Sequence, residues 1–345
     1  MSRGRAGSGV RVTPGDGSLE IAGSDADGRP VRLTLHGPAA RVPVDMRALL
    51  TSRGLGWDVA LEDAVLGVEA ANGSRDFACT TLDDGTHGHR YQGAEGSPTL
   101  VLLHALGGNC LTMLPLVELL RGTVTLVCLD LPGHGRTPPA PMTRERSGDW
   151  LGGCLDLLGL DRAHLVGHSL GCRVAVSFAA LHPGRAQSLT LLAPALSPAR
   201  DLHARFALSA ARVMSGLGLA AVTRRVAGGL FSSMLVGPDA TNRTLLRYAL
   251  GDVLRDQERQ RYAGLKAGLE WLEGEPELAA DWAALVRGRE VRVLCGADDR
   301  YCPADLSLRE HGVHLEVVPR AGHLLPLEHP AVCAAALRAA SGAGS

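Results

Sequence analysis

Six short, mainly apolar runs recur through the chain: Thr99–His104, Thr123–Leu129, Ala163–Val166, Ser188–Leu192, Glu290–Leu294 and His314–Val318. Each is Leu-rich or β-branched, and helical stretches separate most of them. A strand with one wet face alternates apolar and polar residues. A continuous run buries both faces, as strands do in a parallel sheet covered by helices. The chain is therefore expected to form an α/β fold, a mostly parallel doubly wound sheet. Phe77–Gly93 reads as a preceding hairpin that turns at Asp84-Gly85.

Two regions depart from this rhythm. Residues 1–76 are Gly-, Asp- and Arg-rich and read as an accessory β-containing segment with a short disordered start. Within it Ser18–Ala22 and Val31–Leu35 alternate like strands, and Val44–Ser52 reads as a short helix. Residues 197–285 read as a helical insertion. Leu202, Phe206, Val213 and Leu217 recur at helical spacing, and Gly216, Gly218, Gly228 and Gly229 break the helices. The expected organisation is an accessory segment (1–76), a core (77–196 and 286–345) and a helical cap (197–285).

Composition removes whole classes of function. With 345 residues and 46% hydrophobic, the chain can bury a large core. Thirty-five basic residues against 36 acidic ones give a net charge of −1, so nothing general draws it to nucleic acid or an anionic membrane. No apolar run approaches the ~20 residues needed to span a bilayer. Met1–Val10 has no apolar stretch of the secretory kind. The eight cysteines form no C-x-x-C pair and several sit in apolar runs. They read as buried free thiols of a cytoplasmic protein, neither disulfides nor zinc ligands.

The strongest chemical signal is Gly167-His168-Ser169-Leu170-Gly171, set between the run Ala163–Val166 and the Ala/Val-rich helix Cys172–Leu181. This is G-x-S-x-G between strand and helix, a sharp turn that exposes a nucleophile. The glycines are needed because side chains there would strike the sheet or the helix. A serine needs a base. His323 follows the last apolar run, and that position with the chain order Ser…Asp…His selects it; His329 is the poorer rival because it falls at the entry of the final helix. The imidazole needs an orienting acid, and Asp298 and Asp299 both follow Glu290–Leu294. Asp299 is preferred, with Asp298 second. Oxyanion donors are expected from the amide of Leu170 and from the loop His104–Gly108, at Leu106. His87-Gly88-His89 places two imidazoles on one strand face, but no third or fourth ligand shows a suitable spacing. They read as exposed hairpin histidines and not as a metal site.

Taken in order, these motifs resemble the α/β-hydrolase superfamily. His104-Ala105-Leu106-Gly107-Gly108 is similar to its H-G-x-G-G oxyanion loop, with Ala105 in place of a glycine. Asp130-Leu131-Pro132-Gly133-His134-Gly135-Arg136-Thr137 resembles D-x-x-G-x-G-x-S/T, and Ser169 stands in the nucleophile elbow. Gly296 to Pro303 resembles G-x-x-D-x-x-x-P, which puts the acid at Asp299. Gly322-His323 with Leu327-Glu328-His329-Pro330 resembles the G-H…E-x-P ending. The resemblance runs from about Phe77 to Arg338, with 197–285 in the position of a cap. It implies a serine hydrolase with the triad Ser169, Asp299 and His323, acting on an ester, thioester or lactone with an apolar part. Acyl transfer or C–C bond hydrolysis by the same triad are alternatives, as is a silent binding protein on the same fold. The expected partner is a small-molecule substrate, with no cofactor and no metal. Oligomeric state is not written in the sequence.

Overall fold

A computed structural model describes residues 11–15, 18–24, 30–36, 77–196, 259–274 and 282–342. The expected helix at Val44–Ser52 and the periodic residues Leu202, Phe206, Val213 and Leu217 lie outside them. Strands β1 (Arg11–Gly15), β2 (Ser18–Ser24) and β3 (Pro30–His36) form an antiparallel sheet with Ile21 opposite Leu33. The two alternating stretches read from the sequence fall in β2 and β3.

The larger sheet has eight strands: β4 (Phe77–Thr81), β5 (His87–Tyr91), β6 (Thr99–Leu103), β7 (Thr125–Leu129), β8 (Ala163–His168), β9 (Ala186–Leu192), β10 (Glu290–Gly296) and β11 (His314–Val318). Their order is β11-β10-β9-β8-β6-β7-β5-β4. All pairs are parallel except β5 with β7 and β4 with β5. The chain leaves β6 for β7 on one side and then crosses to β8 on the other. That reversal opens a crevice at the carboxyl ends of β6 and β8, the place where open α/β sheets bind ligands.

The helices are α1 (Leu114–Leu120), α2 (Arg144–Leu157), α3 (Leu170–Leu181), α4 (Arg259–Gly274), α5 (Trp282–Leu285), α6 (Leu325–Glu328) and α7 (Pro330–Ser341). Helix α2 starts where the Thr143 hydroxyl accepts from the Arg146 amide. Val101, Leu103, Val127, Leu129, Leu165 and Leu191 form one core with α2 and α3. Strand alternation sends Leu100, Leu102 and Leu126, equally buried, to the opposite face, where α1 and α7 pack together. Each fully buried side chain of this size contributes roughly 1.5–3 kcal/mol.

Two expectations change. The run at β11 is not buried on both faces: it is the sheet's edge strand, and its residues alternate between exposed and half-buried before the buried Val318. His87 and His89 are not exposed. The hairpin is an internal part of the sheet's end, β5 pairing with both β4 and β7, and α2 reaches it through Trp150, whose indole N–H donates to Thr86 Oγ1 at 3.0 Å. Cys110, Cys128, Cys154, Cys172, Cys295, Cys302 and Cys333 are buried and take part in no disulfide. Among the described residues no helix is long and apolar enough to cross a membrane.

Candidate active site

Ser169 sits between β8 and α3 with φ 52° and ψ −110°, a backbone state that L-residues rarely adopt. Its glycine neighbours are steric necessities. A Cβ on Gly167 would stand 2.6 Å from the backbone of Cys172, and one on Gly171 would stand 2.3 Å from the Leu103 carbonyl oxygen. The turn thus forms only where β6, β8 and α3 converge.

The serine hydroxyl is 2.9 Å from His323 Nε2, and His323 Nδ1 is 2.8 Å from Asp299 Oδ2. The carboxylate can accept only, so Nδ1–H donates to it and Nε2 is left to accept the Ser169 hydroxyl proton. Asp299 Oδ1 accepts the amides of Tyr301 at 2.8 Å and Cys302 at 2.9 Å. Burial alone pushes the Asp299 carboxyl up, but the His323 imidazole and these two amides outweigh it and hold its pKa below the ordinary value. Ser169, His323 and Asp299 are 3–4% exposed, so the group is nearly closed from solvent.

Asp298 is placed differently. Its side chain is exposed, and its amide donates to Ala321 at 2.9 Å. This bond and that from the Ala297 amide to Val318 stitch the loop carrying Asp299 to the loop carrying His323. Gly296 permits the approach, because a Cβ there would meet the Gly322 carbonyl oxygen at 2.2 Å.

Two buried residues that the sequence did not single out for these tasks hold the histidine. His168 Nε2–H donates to the His323 carbonyl at 2.9 Å. Burial, then the neighbouring His323, pushes the His168 pKa down to about 3, so the ring is neutral. Glu328 on α6 accepts the Gly322 amide on one oxygen and the Leu324 amide on the other, each at 2.9 Å. It grips the backbone on both sides of His323. The only sequence signals were the first variable position of G-x-S-x-G and the glutamate of the E-x-P ending.

Leu170 is the first residue of α3, so its amide has no acceptor within the helix. Leu106 lies half-buried in the loop after β6. The imidazole of His104 braces that loop: Nδ1–H donates to the Ala105 carbonyl at 2.7 Å and Nε2 accepts the Leu131 amide at 3.0 Å. Ala105 is not among the described non-glycine residues with positive φ, which are Ser169, Ala193 and Arg320. Its methyl therefore costs no backbone strain. Helix α4 lies across this crevice. A Cβ on Gly268 would meet Leu106 Cδ1 at 2.4 Å and Leu170 Cδ2 at 3.0 Å, and one on Gly264 would meet the Gly133 carbonyl oxygen at 2.2 Å. The buried Arg173 of α3 anchors the end of α4, donating to the Trp271 carbonyl at 3.3 Å and to the Ala195 carbonyl at 2.7 Å.

Residues 100–336 match the alpha/beta hydrolase family. The chain is 28% identical over 249 residues to a dihydrolipoyllysine-residue acetyltransferase component of the acetoin cleaving system from Pseudomonas putida. That match covers 68% of this chain and only 61% of the relative's length. It is 25% identical over 287 residues to a 2-hydroxy-6-oxononadienedioate/2-hydroxy-6-oxononatrienedioate hydrolase from Paraburkholderia phymatum, covering 78% of this chain and 95% of that protein. Among solved structures it is similar to the naproxen esterase of Bacillus subtilis, with a TM-score of 0.53, 21% identity, and coverage of 76% of this chain and 89% of that one. At that identity the likeness concerns the fold alone.

Proposed function

The chain belongs to the alpha/beta hydrolase family, and from that premise we propose that it is a serine hydrolase with the triad Ser169, His323 and Asp299. The observation that carries this reading is the unbroken series Ser169 Oγ–His323–Asp299 with separations of 2.9 and 2.8 Å. His323 takes the Ser169 proton at Nε2 while Oγ attacks a carbonyl carbon. Asp299 keeps the imidazole in the tautomer that can accept this proton and stabilises the imidazolium that forms. The amides of Leu106 and Leu170 receive the developing oxyanion. His323 then protonates the leaving group, and water repeats the sequence to release the acid.

The substrate is an ester, thioester or lactone with an apolar part. The side chains of Leu106 and Leu170 and the face of α4 that carries Gly268 line its approach. Acyl transfer is the second reading. It is favoured by the similarity to the acetyltransferase component, and in it a bound alcohol or thiol replaces water as acceptor. C–C bond hydrolysis by the same three residues is the third, favoured by the similarity to the oxononadienedioate hydrolase.

A p-nitrophenyl ester series of rising acyl length, run with wild type and Ser169→Ala, tests the reading. Serine-dependent turnover is expected, falling by roughly 10⁴-fold or more in the variant. Equal rates in both proteins would reject Ser169 as nucleophile. Adding alcohol or thiol acceptors and analysing products separates hydrolysis from transfer.

A further inference from the structure

The proposed reaction leaves one buried group of titratable side chains unused. His87 and His89 are two residues apart on β5, so alternation puts both on one face. The residue between them must be Gly88, because a Cβ there would stand 2.6 Å from the Cys128 carbonyl oxygen of β7. Cys110 opens a short 3-10 helix, Cys110–Met113, that follows the loop carrying Leu106. One ring nitrogen of His87, one of His89 and the Cys110 sulfur all lie within 4.8 Å of one another. The three residues are 1–2% exposed. Beside the sulfur stands Asp130, also buried, whose Oδ1 accepts the Cys110 thiol at 2.8 Å and the Cys110 amide at 2.7 Å.

We propose that His87, His89, Cys110 and Asp130 form a structural zinc site that ties β5 to the loops after β6 and β7. Two imidazoles with a thiolate are the donors of a borderline-soft ion, whereas magnesium and calcium take oxygen ligands. The charges also balance. One thiolate and one carboxylate neutralise Zn²⁺, so no net charge is buried. Donor atoms in a tetrahedral zinc site stand roughly 3.5 Å apart, so shifts of about an ångström bring the two ring nitrogens and the sulfur into place, and Asp130 Oδ1, 2.8 Å from that sulfur, is the carboxylate beside them. On binding, the Cys110 S–H bond breaks and its proton leaves to solvent. A zinc–sulfur and a zinc–oxygen bond replace the S–H···O hydrogen bond, and nothing is oxidised or reduced.

The test has to exclude one other place. Cys302 Sγ, an Asp299 oxygen and a His323 nitrogen also lie within 4.8 Å of one another. The full chain carrying Cys302→Ala is therefore the parent protein. It is unfolded with chelator, refolded with zinc chloride, desalted and assayed for metal by mass spectrometry. Close to one zinc per chain is expected, with a higher Tm than the same protein refolded in chelator. His89→Gln and Cys110→Ser in that background are expected to retain roughly tenfold less zinc. A zinc-free parent, or full zinc in both variants, overturns the site. If the variants do not fold, the parent loaded with cobalt decides: a thiolate-to-cobalt charge-transfer band in the near ultraviolet is expected, and cobalt bound without that band overturns the site.

Discussion

Two buried groups in this protein use the same side-chain types, and they stand towards opposite ends of the strand order. One is His323, Asp299 and Cys302, on the loops after β10 and β11. The other is His87, His89, Cys110 and Asp130, on β5 and the loops after β6 and β7. In the first, the single imidazole is threaded between a carboxylate and a hydroxyl, and backbone amides occupy the other carboxylate oxygen. In the second, two imidazoles converge on one sulfur with no hydroxyl at a strained turn. Imidazole, carboxylate and thiol therefore do not announce a chemistry. What decides it is whether the backbone delivers a nucleophile in line with the ring or gathers donors around a point.

The comparison breaks most sharply at Asp299. Asp299→Asn is expected to lower kcat by roughly 10⁴-fold, because the ring loses its tautomer and its counter-charge. Asp298→Asn, one residue away and exposed, should stay within about twofold. Steady-state kinetics on both variants decides this, and equal losses would show that the two carboxylates share the task.

Glu328 sharpens it next. Glu328→Gln keeps one acceptor oxygen and loses the other, so one of the two amides flanking His323 loses its partner. A drop in kcat of roughly tenfold with little change in KM is expected, and about 100-fold for Glu328→Ala. Unfolding by urea should show Glu328→Ala destabilised by about 1–3 kcal/mol, the cost of leaving buried amides unpaired. A change confined to KM would mean that the clamp does not position the base.

Gly268 tests the other wall of the crevice. The atoms a side chain there would meet are ends of leucine side chains, which can turn aside. Gly268→Val should leave the urea midpoint nearly unchanged while raising KM for long acyl esters a few-fold, about 1 kcal/mol of lost binding. Unaltered kinetics across the ester series would place the acyl chain elsewhere.

The last test lies in the pH dependence of stability. The folded pKa of His168, about 3, lies below its unfolded value near 6.5. The unfolded chain takes up that proton first, so the contribution of a neutral His168 is complete above pH 6.5 and is lost as pH falls towards 3. The slope approaches about 1.4 kcal/mol per pH unit inside that window. Urea midpoints at pH 7.5 and 5 should fall less in His168→Gln than in wild type. Parallel falls would mean that His168 takes up its proton equally in the folded and unfolded states.

Much of this was legible in the chain because the signals are local. β11 spans His314–Val318 in both readings, and the elbow around Ser169 needs only two glycines and a strand-to-helix change. What escaped the sequence depends on contacts between distant residues. Asp298 and Asp299 are neighbours with the same carboxylate, and only the way their loop closes on Ala321 turns one inward. The bond from His168 to the His323 carbonyl spans 155 residues. His87 and His89 read as exposed because a hairpin at the start of a sheet looks like an edge. Their strand is instead internal, flanked by β4 and β7, and Cys110, twenty-one residues beyond His89, meets them only after β6 has been laid down.

The backbone of Ser169 carries a consequence for how tightly this fold can be held. At φ 52° and ψ −110° a serine sits where only glycine is at ease, a cost of order 1–3 kcal/mol. The nucleophile of the proposed reaction is thus a residue that weakens the fold. Ser169→Gly should unfold at a higher urea concentration than wild type while turning nothing over, so selection for robustness alone would erase the nucleophile first. In the proposed reaction, reactivity and stability therefore pull in opposite directions at this one turn.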